Sequence, residues 1–114
     1  MSLSGLQAEQ DAAQFLQRHG LKLLARNYRC RYGEIDLILQ DGETLVFAEV
    51  RLRSRRDFGG AVASINAAKQ AKLVRSAQHY LSGLGRIPPC RFDAVLFDAA
   101  GSAEPEWLRN AFTL

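Results

Sequence analysis

Residues 33–53 of the chain read GEIDLILQDGETLVFAEVRLR, in which two apolar runs flank the dipeptide Asp41-Gly42. An Asp-Gly pair between segments that alternate apolar and polar residues is a strong signal for a two-residue β-hairpin turn. The sequence therefore predicts two paired strands, over residues 34–40 and 43–53, joined by a tight turn at Asp41-Gly42.

Side chains alternate between the two faces of such a hairpin. One face is apolar throughout and is expected to be core, since it carries Ile35, Leu37, Leu39, Val46, Ala48, Val50 and Leu52. The other face is apolar beside the turn and charged at its far end, where it carries Glu34, Asp36, Glu49, Arg51 and Arg53. A slip of the register by one residue would bury the charges and expose the apolar face, so the assignment of faces is well specified.

The acids Asp36 and Glu49 lie on the charged half of the second face. A turn at Asp41-Gly42 places Asp36 opposite Phe47 and makes the two acids diagonal neighbours, about 7–8 Å apart at the backbone. Two carboxylates at that separation can share one divalent cation, and Mg²⁺ prefers oxygen ligands of this kind. The same pattern is also typical of a solvated strand face with salt bridges, and the residues alone leave both interpretations open.

Hydrophobic periodicity and Gly, Pro and Ser punctuation predict two helices and three strands outside the hairpin. They are a helix over 3–19, a strand over 21–31, a helix over 64–82, and strands over 90–99 and 106–112. Ser64 is the expected N-cap of the second helix. The order α-β-β-β-α-β-β predicts a single α/β domain over residues 1–114, in which a mixed sheet is flanked by helices and the long helix is a crossover.

Composition and charge place only broad limits on function. The 114 residues are 47% hydrophobic and 24% charged, which suits a globular domain with one core. No apolar run reaches roughly 18 residues and the N-terminus does not resemble a signal peptide, so we expect a cytoplasmic protein without a membrane partner. Cys30 and Cys90 stand alone and are expected to be reduced thiols. The net charge of +3 permits a polyanionic partner without requiring one.

Basic residues form two groups that follow the acids in the sequence. They are Arg51, Arg53, Arg55 and Arg56 after the hairpin, and Lys69, Lys72 and Arg75 along the long helix. A basic stripe is commonly the solvated face of an amphipathic helix, and that alternative stays open. The two groups together also fit contact with a nucleic-acid backbone. No base-reading motif occurs, so we expect recognition of backbone or structure rather than of base sequence.

The acids also belong to a larger set of motifs. Asp36, a gap of twelve residues and the tripeptide Glu49-Val50-Arg51 have the form D-x12-E-x-(K/R), which resembles the core of PD-(D/E)XK nucleases. More narrowly, the chain resembles the YraN family of small bacterial proteins along nearly its whole length. The segments that carry this resemblance are AAQFL, RNYR, GEIDLI, VFAEVRLR, FGG, KQAKL, RFDAVLF and WLRNAF. The resemblance implies a restriction-endonuclease-like fold and an Mg²⁺- or Mn²⁺-dependent endonuclease for DNA, including branched or structured DNA.

The resemblance also implies roles for single residues. Asp36 and Glu49 would be metal ligands and catalytic residues, and Glu9 on the first helix would complete the metal site. A solvated helix acid is the alternative for Glu9. Arg51 takes the position where these nucleases usually have lysine. Because arginine stays protonated, Arg51 can stabilise charge on a phosphate but cannot act as a base, so the metal would have to activate the water.

Three questions stay open at this stage. Resolvase-like proteins cut two strands as dimers, which implies a homodimer, although the sequence shows no clear interface. The arginine at position 51 supports a second hypothesis, a nucleic-acid-binding module whose nuclease site is weak or lost, and a scaffold that keeps only the fold is a third. Arg91 and Asp93 share a strand face, where a structural ion pair and a substrate contact are both consistent with the sequence.

Overall fold

The elements follow one another in the predicted order in a computed structural model, which describes residues 5–53, 65–98 and 104–112. They are helix α1 (Gly5–Arg18), strands β1 (Lys22–Cys30), β2 (Gly33–Asp41) and β3 (Thr44–Arg53), helix α2 (Ala67–Leu81), and strands β4 (Cys90–Asp98) and β5 (Glu106–Phe112). The α/β class and the order α-β-β-β-α-β-β are confirmed. Among the described helices, none is long and apolar enough to cross a membrane.

The five strands form one mixed sheet in the order β1-β2-β3-β4-β5. Neighbouring strands are antiparallel except β3 and β4, which are parallel from Leu45 opposite Cys90 to Arg53 opposite Asp98. Two parallel neighbours need a crossover connection, and helix α2 lies in that connection. The predicted mixed sheet with a crossover helix is therefore confirmed.

One helix covers each face of the sheet. On the α1 face, buried residues at helical spacing on α1 pack against the sheet residues Leu37, Leu39, Val46, Ala48, Val95 and Phe97. On the α2 face, Leu73 and Ala77 of α2 share a buried cluster with Ile38, Leu45, Phe47, Phe92, Ala94 and Leu96. Both faces of the central strands are thus largely apolar.

The β2–β3 hairpin has a different register from the predicted one. Asp41 pairs with Thr44, so the two turn residues are Gly42 and Glu43 rather than Asp41 and Gly42. Gly42 has a φ of +60°, as the first central residue of a type II′ turn does, whereas a type I′ turn at Asp41-Gly42 would need positive φ at the aspartate as well. The partner of each residue moves by two positions, which keeps the predicted faces and changes only which residues lie opposite one another.

The predicted core face has two exceptions. Leu52 is 36% exposed near the end of β3, and Ile35 packs with Ile38 on the α2 face rather than with Leu37 on the α1 face. On the neighbouring strand, Asn27 has a φ of +52° and lies between the residues paired with Leu37 and Ile35. A residue with this conformation interrupts regular strand geometry, so the alternation breaks beside Asp36.

Helix α2 begins later than predicted. Its N-cap is Asn66, whose backbone is extended and whose side-chain Oδ1 accepts a hydrogen bond from the Lys69 N–H at 2.9 Å. Asparagine caps helices as well as serine does, so the prediction of Ser64, which lies outside the described residues, was wrong. The cap fixes the first turn of the helix, and this turn carries Lys69.

Candidate active site

Strands β2 and β3 separate next to the two acids. Their ladder ends at the pair Leu37–Ala48, and continuing it by one residue places Asp36 directly opposite Glu49. The Val50 N–H donates to Oδ2 of Asp36 at 2.9 Å, whereas regular pairing would give it a backbone carbonyl of β2. The Asp36 carboxylate thus takes the place of a backbone carbonyl as the acceptor for the Val50 N–H. The predicted diagonal arrangement was wrong, because the turn found in the structure brings the acids to facing positions.

Both acids are buried, with exposed fractions of 9% for Asp36 and 5% for Glu49. Burial raises the pKa of Asp36 to about 7, and the negative charge of Glu49 adds to this rise. The hydrogen bond from the Val50 N–H acts in the opposite direction. Two facing buried carboxylates repel each other unless a proton or a cation lies near them. A solvated strand face, the alternative left open by the sequence, does not describe these two residues.

Glu9 reaches the same place from helix α1. After burial and the charge of Glu49, the charge of Glu9 and a hydrogen bond with its side chain also raise the pKa of Asp36. The side-chain amide of Asn27 lies beside Glu9, and the amide orientation that pairs a donor with the carboxylate lets its nitrogen donate to both Glu9 oxygens, at 3.1 and 3.3 Å. Acids from α1, β2 and β3 therefore lie close together. Glu9, Asp36 and Glu49 are hereafter the acid cluster.

A lysine from helix α2 balances the charge of Glu49. The Lys69 Nζ lies 2.7 Å from Oε1 of Glu49, and the Arg51 Nε lies 3.5 Å from the same oxygen. The Glu49 side chain is only 6% exposed, whereas the Lys69 side chain is 37% exposed. A charge-assisted hydrogen bond to a carboxylate screened from water is strong. Lys69 is therefore the principal counter-charge of Glu49, and Arg51 lies beside it as predicted.

The acid cluster has the chemistry of a site for a hard divalent cation. Its three side chains are carboxylates, the ligand type that suits Mg²⁺ and Mn²⁺. A cation between Asp36 and Glu49 would offset the burial and repulsion that raise the pKa of Asp36. As the side chains stand, no three His, Cys, Asp or Glu residues of the described ranges are grouped closely enough to hold a metal. A metal held by these acids would therefore require them to move closer together and Lys69 to leave Glu49.

An open groove of about 440 Å³ lies beside Lys69. Its walls are the start of β2, at Gly33 and Glu34, and the first turns of α2, including Lys69 and Lys72. A Cβ added at Gly33 would lie 3.5 Å from the Ser76 Oγ, at a φ of +145° that side chains rarely adopt. The backbone conformation, rather than the contact with Ser76, therefore favours glycine at this position. The groove carries the charges of Lys69, Lys72 and Glu34.

The predicted nucleic-acid contacts fall in two places. Lys69 and Lys72 line this groove, and Arg75 lines a second cavity farther along α2. Arg53 ends strand β3, and its side chain, like Arg55 and Arg56, lies outside the described part of the chain. The three α2 cations thus lie along one side of the helix that leads away from the acid cluster.

Arg91 and Asp93 form a buried network on the α1 face. Asp93 is fully buried and accepts hydrogen bonds from the Arg91 Nε at 3.1 and 3.2 Å and from the Trp107 Nε1 at 2.9 Å. The Asn110 N–H donates to it at 3.1 Å, and the Arg91 Nη1 donates to Oδ2 of Asp41 at 2.8 Å. Both oxygens of Asp93 are used within the protein, so the pair has a structural role.

Sequence reasoning missed two features of the site. Lys69 was predicted to contact nucleic acid, and its contact with Glu49 depends on a crossover geometry that no local pattern encodes. Asn27 was not singled out, although asparagine is depleted in strands and its presence inside a predicted strand was a usable signal. Each residue holds one acid of the cluster, Lys69 holding Glu49 and Asn27 holding Glu9.

Comparison with known proteins matches this chain to a family described as "Uncharacterised protein family UPF0102", over residues 8–97. A UPF0102 protein of Nitrosomonas europaea is 59% identical over 108 residues, which cover 95% of this chain and 92% of the relative. A UPF0102 protein of Nitrosospira multiformis is 57% identical over 112 residues, 98% of this chain and 94% of the relative. A UPF0102 protein of Psychromonas ingrahamii is 53% identical over 108 residues, 95% of this chain and 88% of the relative.

Proposed function

The chain belongs to the UPF0102 family, also known as YraN, and we propose that it is a metal-dependent endonuclease. Its substrate would be the phosphodiester backbone of DNA, including branched or structured DNA. The observation that carries this proposal is the pair of buried acids Asp36 and Glu49, in which the charges of Glu49 and Glu9 both act on Asp36. The resemblance to PD-(D/E)XK nucleases supports it. The free thiols of Cys30 and Cys90 fit the cytoplasmic location that we propose.

In this proposal the acids of the site bind the metal and Arg51 acts on the phosphate. Asp36 and Glu49 would hold Mg²⁺ or Mn²⁺, and Glu9, beside Asn27, would complete the ligand set. When bound, the ion would polarise the phosphate and lower the pKa of the attacking water. Arg51 would stabilise negative charge that develops on the phosphate oxygens.

Lys69 would add a movable cation to the charge of Arg51. Its ammonium group is a compact charge on a flexible stem, whereas the guanidinium of arginine is a planar, rigid group. Once displaced from Glu49, the Lys69 ammonium group would remain beside the acid cluster at the mouth of the groove, where a phosphate would lie. Lys72 and Arg75 would bind the backbone farther along, with Arg53, Arg55 and Arg56 as further proposed contacts.

The ion pair between Lys69 and Glu49 also favours a second candidate. A counter-charge 2.7 Å from Glu49 already satisfies this acid without a metal. Together with arginine at position 51, this arrangement fits a nucleic-acid-binding module that has lost its nuclease activity. The homodimer implied by the resemblance stays a prediction under either candidate.

Cleavage assays distinguish the two candidates. Labelled four-way junction, flap and linear duplex DNA are incubated with the wild type, Asp36→Asn and Glu49→Gln, in Mg²⁺ or Mn²⁺. Glu43→Gln is the matched control, because Glu43 is an exposed acid of the hairpin turn. The endonuclease predicts cleavage by the wild type and the control, and a loss of at least about a hundredfold in both site variants. Binding without Glu49-dependent cleavage would favour the binding module, and neither activity would leave the scaffold hypothesis.

A further inference from the structure

A second cavity, of about 470 Å³, lies along helix α2 beyond the groove. Arg31 and Tyr32, of the turn between β1 and β2, line one side, and Arg75, Gln78 and His79 of α2 line the other. None of the described residues that line it is acidic. This cavity, hereafter the Tyr32 pocket, therefore combines two guanidinium groups with an aromatic ring, a combination that suits a ligand with negative charge and a flat ring.

The planar groups of the Tyr32 pocket are held in place by one another. The Arg31 Cζ lies 4.9 Å from the centre of the Tyr32 ring, over its face, and the Arg31 Nη2 donates to the Tyr32 hydroxyl at 2.8 Å. The ring of His79 meets the Tyr32 ring edge to face at 6.2 Å, and the Tyr28 hydroxyl is hydrogen-bonded to the His79 Nδ1. Aromatic rings and guanidinium planes are the surfaces on which unpaired bases stack.

Helix α2 joins this pocket to the acid cluster. Lys69, Lys72, Arg75 and His79 follow one another at intervals of three or four residues and so lie on one side of the helix. The ten steps from Lys69 to His79 span about 15 Å along the helix axis. The acid cluster and the Tyr32 pocket are thus close enough for one bound strand to contact both.

We propose that the Tyr32 pocket is a subsite for an unpaired nucleotide, whose base stacks on the Arg31–Tyr32 pair while Arg75 contacts its phosphate. The inference rests on the proposed function for the position of the cleaved bond, which would lie at the acid cluster, about 15 Å away along the axis of α2. Bases inside a duplex are paired and stacked on one another and cannot enter such a pocket. The substrate class is thereby narrowed to nucleic acids with a single-stranded segment.

The test is fluorescence anisotropy with the full chain in EDTA, so that no metal-dependent cleavage occurs. The probes are a labelled single-stranded DNA of about twelve nucleotides, an RNA of the same sequence and a blunt DNA duplex of the same length. A length of about twelve nucleotides lies within the usual range of single-strand binding sites. Tyr32→Leu removes the stacking surface, and Tyr32→Phe retains it. Lys22→Ala, which removes an exposed charge at the opposite end of β1, is the control.

We expect Tyr32→Leu to bind single strands about tenfold more weakly than the wild type, while Tyr32→Phe and Lys22→Ala stay within about threefold of it. Duplex binding should change by less than about threefold in all variants, because it depends on phosphate contacts. Loss on DNA, on RNA or on both supports the subsite and identifies the sugar it accepts. Arg31→Ala, at an exposed position, gives a second readout if Tyr32→Leu does not fold.

Three results would overturn the subsite: no binding of single strands by the wild type, equal binding by Tyr32→Leu, or an equal loss on duplex DNA. The two proposals are tested independently, because binding to the subsite is measured in EDTA and nuclease activity is measured with Mn²⁺. Tyr32-dependent binding without cleavage in Mn²⁺ would contradict the proposed function alone. Cleavage with Tyr32-independent binding would contradict the subsite alone.

Discussion

The Lys69 Nζ of helix α2 lies 2.7 Å from Oε1 of Glu49, which is buried on strand β3. In the D-x12-E-x-(K/R) pattern, the cation of the site is expected two residues after the glutamate, where this chain has Arg51. The structure provides a lysine as well, and it comes from the crossover helix rather than from the strand. The site thus has an arginine that is permanently charged and a lysine that can exchange partners.

Replacing Lys69 tests this exchange. Lys69→Met leaves the buried Glu49 without its closest counter-charge, so we expect the free energy of unfolding in EDTA to fall by about 1–3 kcal/mol. It also removes the competitor for a metal, so Mn²⁺ should raise the melting temperature more in this variant than in the wild type. Thermal unfolding with and without Mn²⁺ measures both effects.

Lys72→Met is the matched control, because Lys72 is an exposed lysine one turn farther along α2. It should unfold as the wild type does and respond equally to Mn²⁺. Equal melting curves for Lys69→Met and Lys72→Met in EDTA would show that the ion pair contributes nothing. An equal response of these two variants to Mn²⁺ would show that Lys69 does not compete with a metal.

The raised pKa of Asp36 predicts how stability changes with pH. Without metal, the folded state keeps the Asp36 proton up to about pH 7, whereas the unfolded chain loses it near 3.8. The contribution of Asp36 to the free energy of unfolding is therefore fully present below about pH 3.8 and is lost as the pH rises towards 7. Asp36→Asn has no proton to lose, and its amide oxygen can still accept from the Val50 N–H. From pH 4 to pH 8, the free energy of unfolding of Asp36→Asn should therefore rise by about 2–4 kcal/mol relative to that of the wild type.

Urea unfolding in EDTA at several pH values measures this difference. Glu43→Gln, an exposed acid of the hairpin turn, should follow the wild type at every pH. Parallel pH profiles for the wild type and Asp36→Asn would mean that neither burial nor the charge of Glu49 raises the pKa of Asp36 in the folded state.

The Asp93 network predicts a purely structural variant. Asp93→Asn leaves the guanidinium of Arg91, whose side chain is 15% exposed, without its buried counter-charge. We expect the free energy of unfolding to fall by about 3–5 kcal/mol. Asp41 is the outer partner of Arg91, and its side chain is 39% exposed. Asp41→Asn should therefore lower the free energy of unfolding by less than about 1 kcal/mol.

Urea unfolding compares these two variants with the wild type, and Mn²⁺ titration compares their affinities. Neither variant should change metal affinity, since Asp93 lies on the α1 face, away from Glu49. A loss of stability no greater for Asp93→Asn than for Asp41→Asn would contradict the structural role. A selective loss of metal affinity would point to a connection with the acid cluster.

Much of the fold follows from local patterns in the sequence. The order of elements and the faces of β2 and β3 depend on periodicity, which a shift of pairing by two residues leaves unchanged. The turn does not follow in the same way, because Asp41-Gly42 and Gly42-Glu43 both place a glycine where positive φ is needed. The structure selects the second turn, and that choice decides whether Asp36 faces Phe47 or Glu49.

The acids of the site could be identified from the sequence, and their surroundings could not. Asp36 and Glu49 stand out because they interrupt apolar strands, whereas the contact of Glu49 with Lys69 joins positions separated by a long connection. The break in alternation at Ile35 depends on the irregular conformation of Asn27 on another strand. These features arise from tertiary packing, and the hydrophobic pattern of a single strand does not predict them.

The central claim is that the acid cluster binds a divalent metal, and calorimetric titration with Mn²⁺ tests it most directly. The account predicts that the wild type and Glu43→Gln bind Mn²⁺ and that Asp36→Asn binds it at least about tenfold more weakly. An absence of Mn²⁺ binding by the wild type, or unchanged affinity in Asp36→Asn, would contradict it.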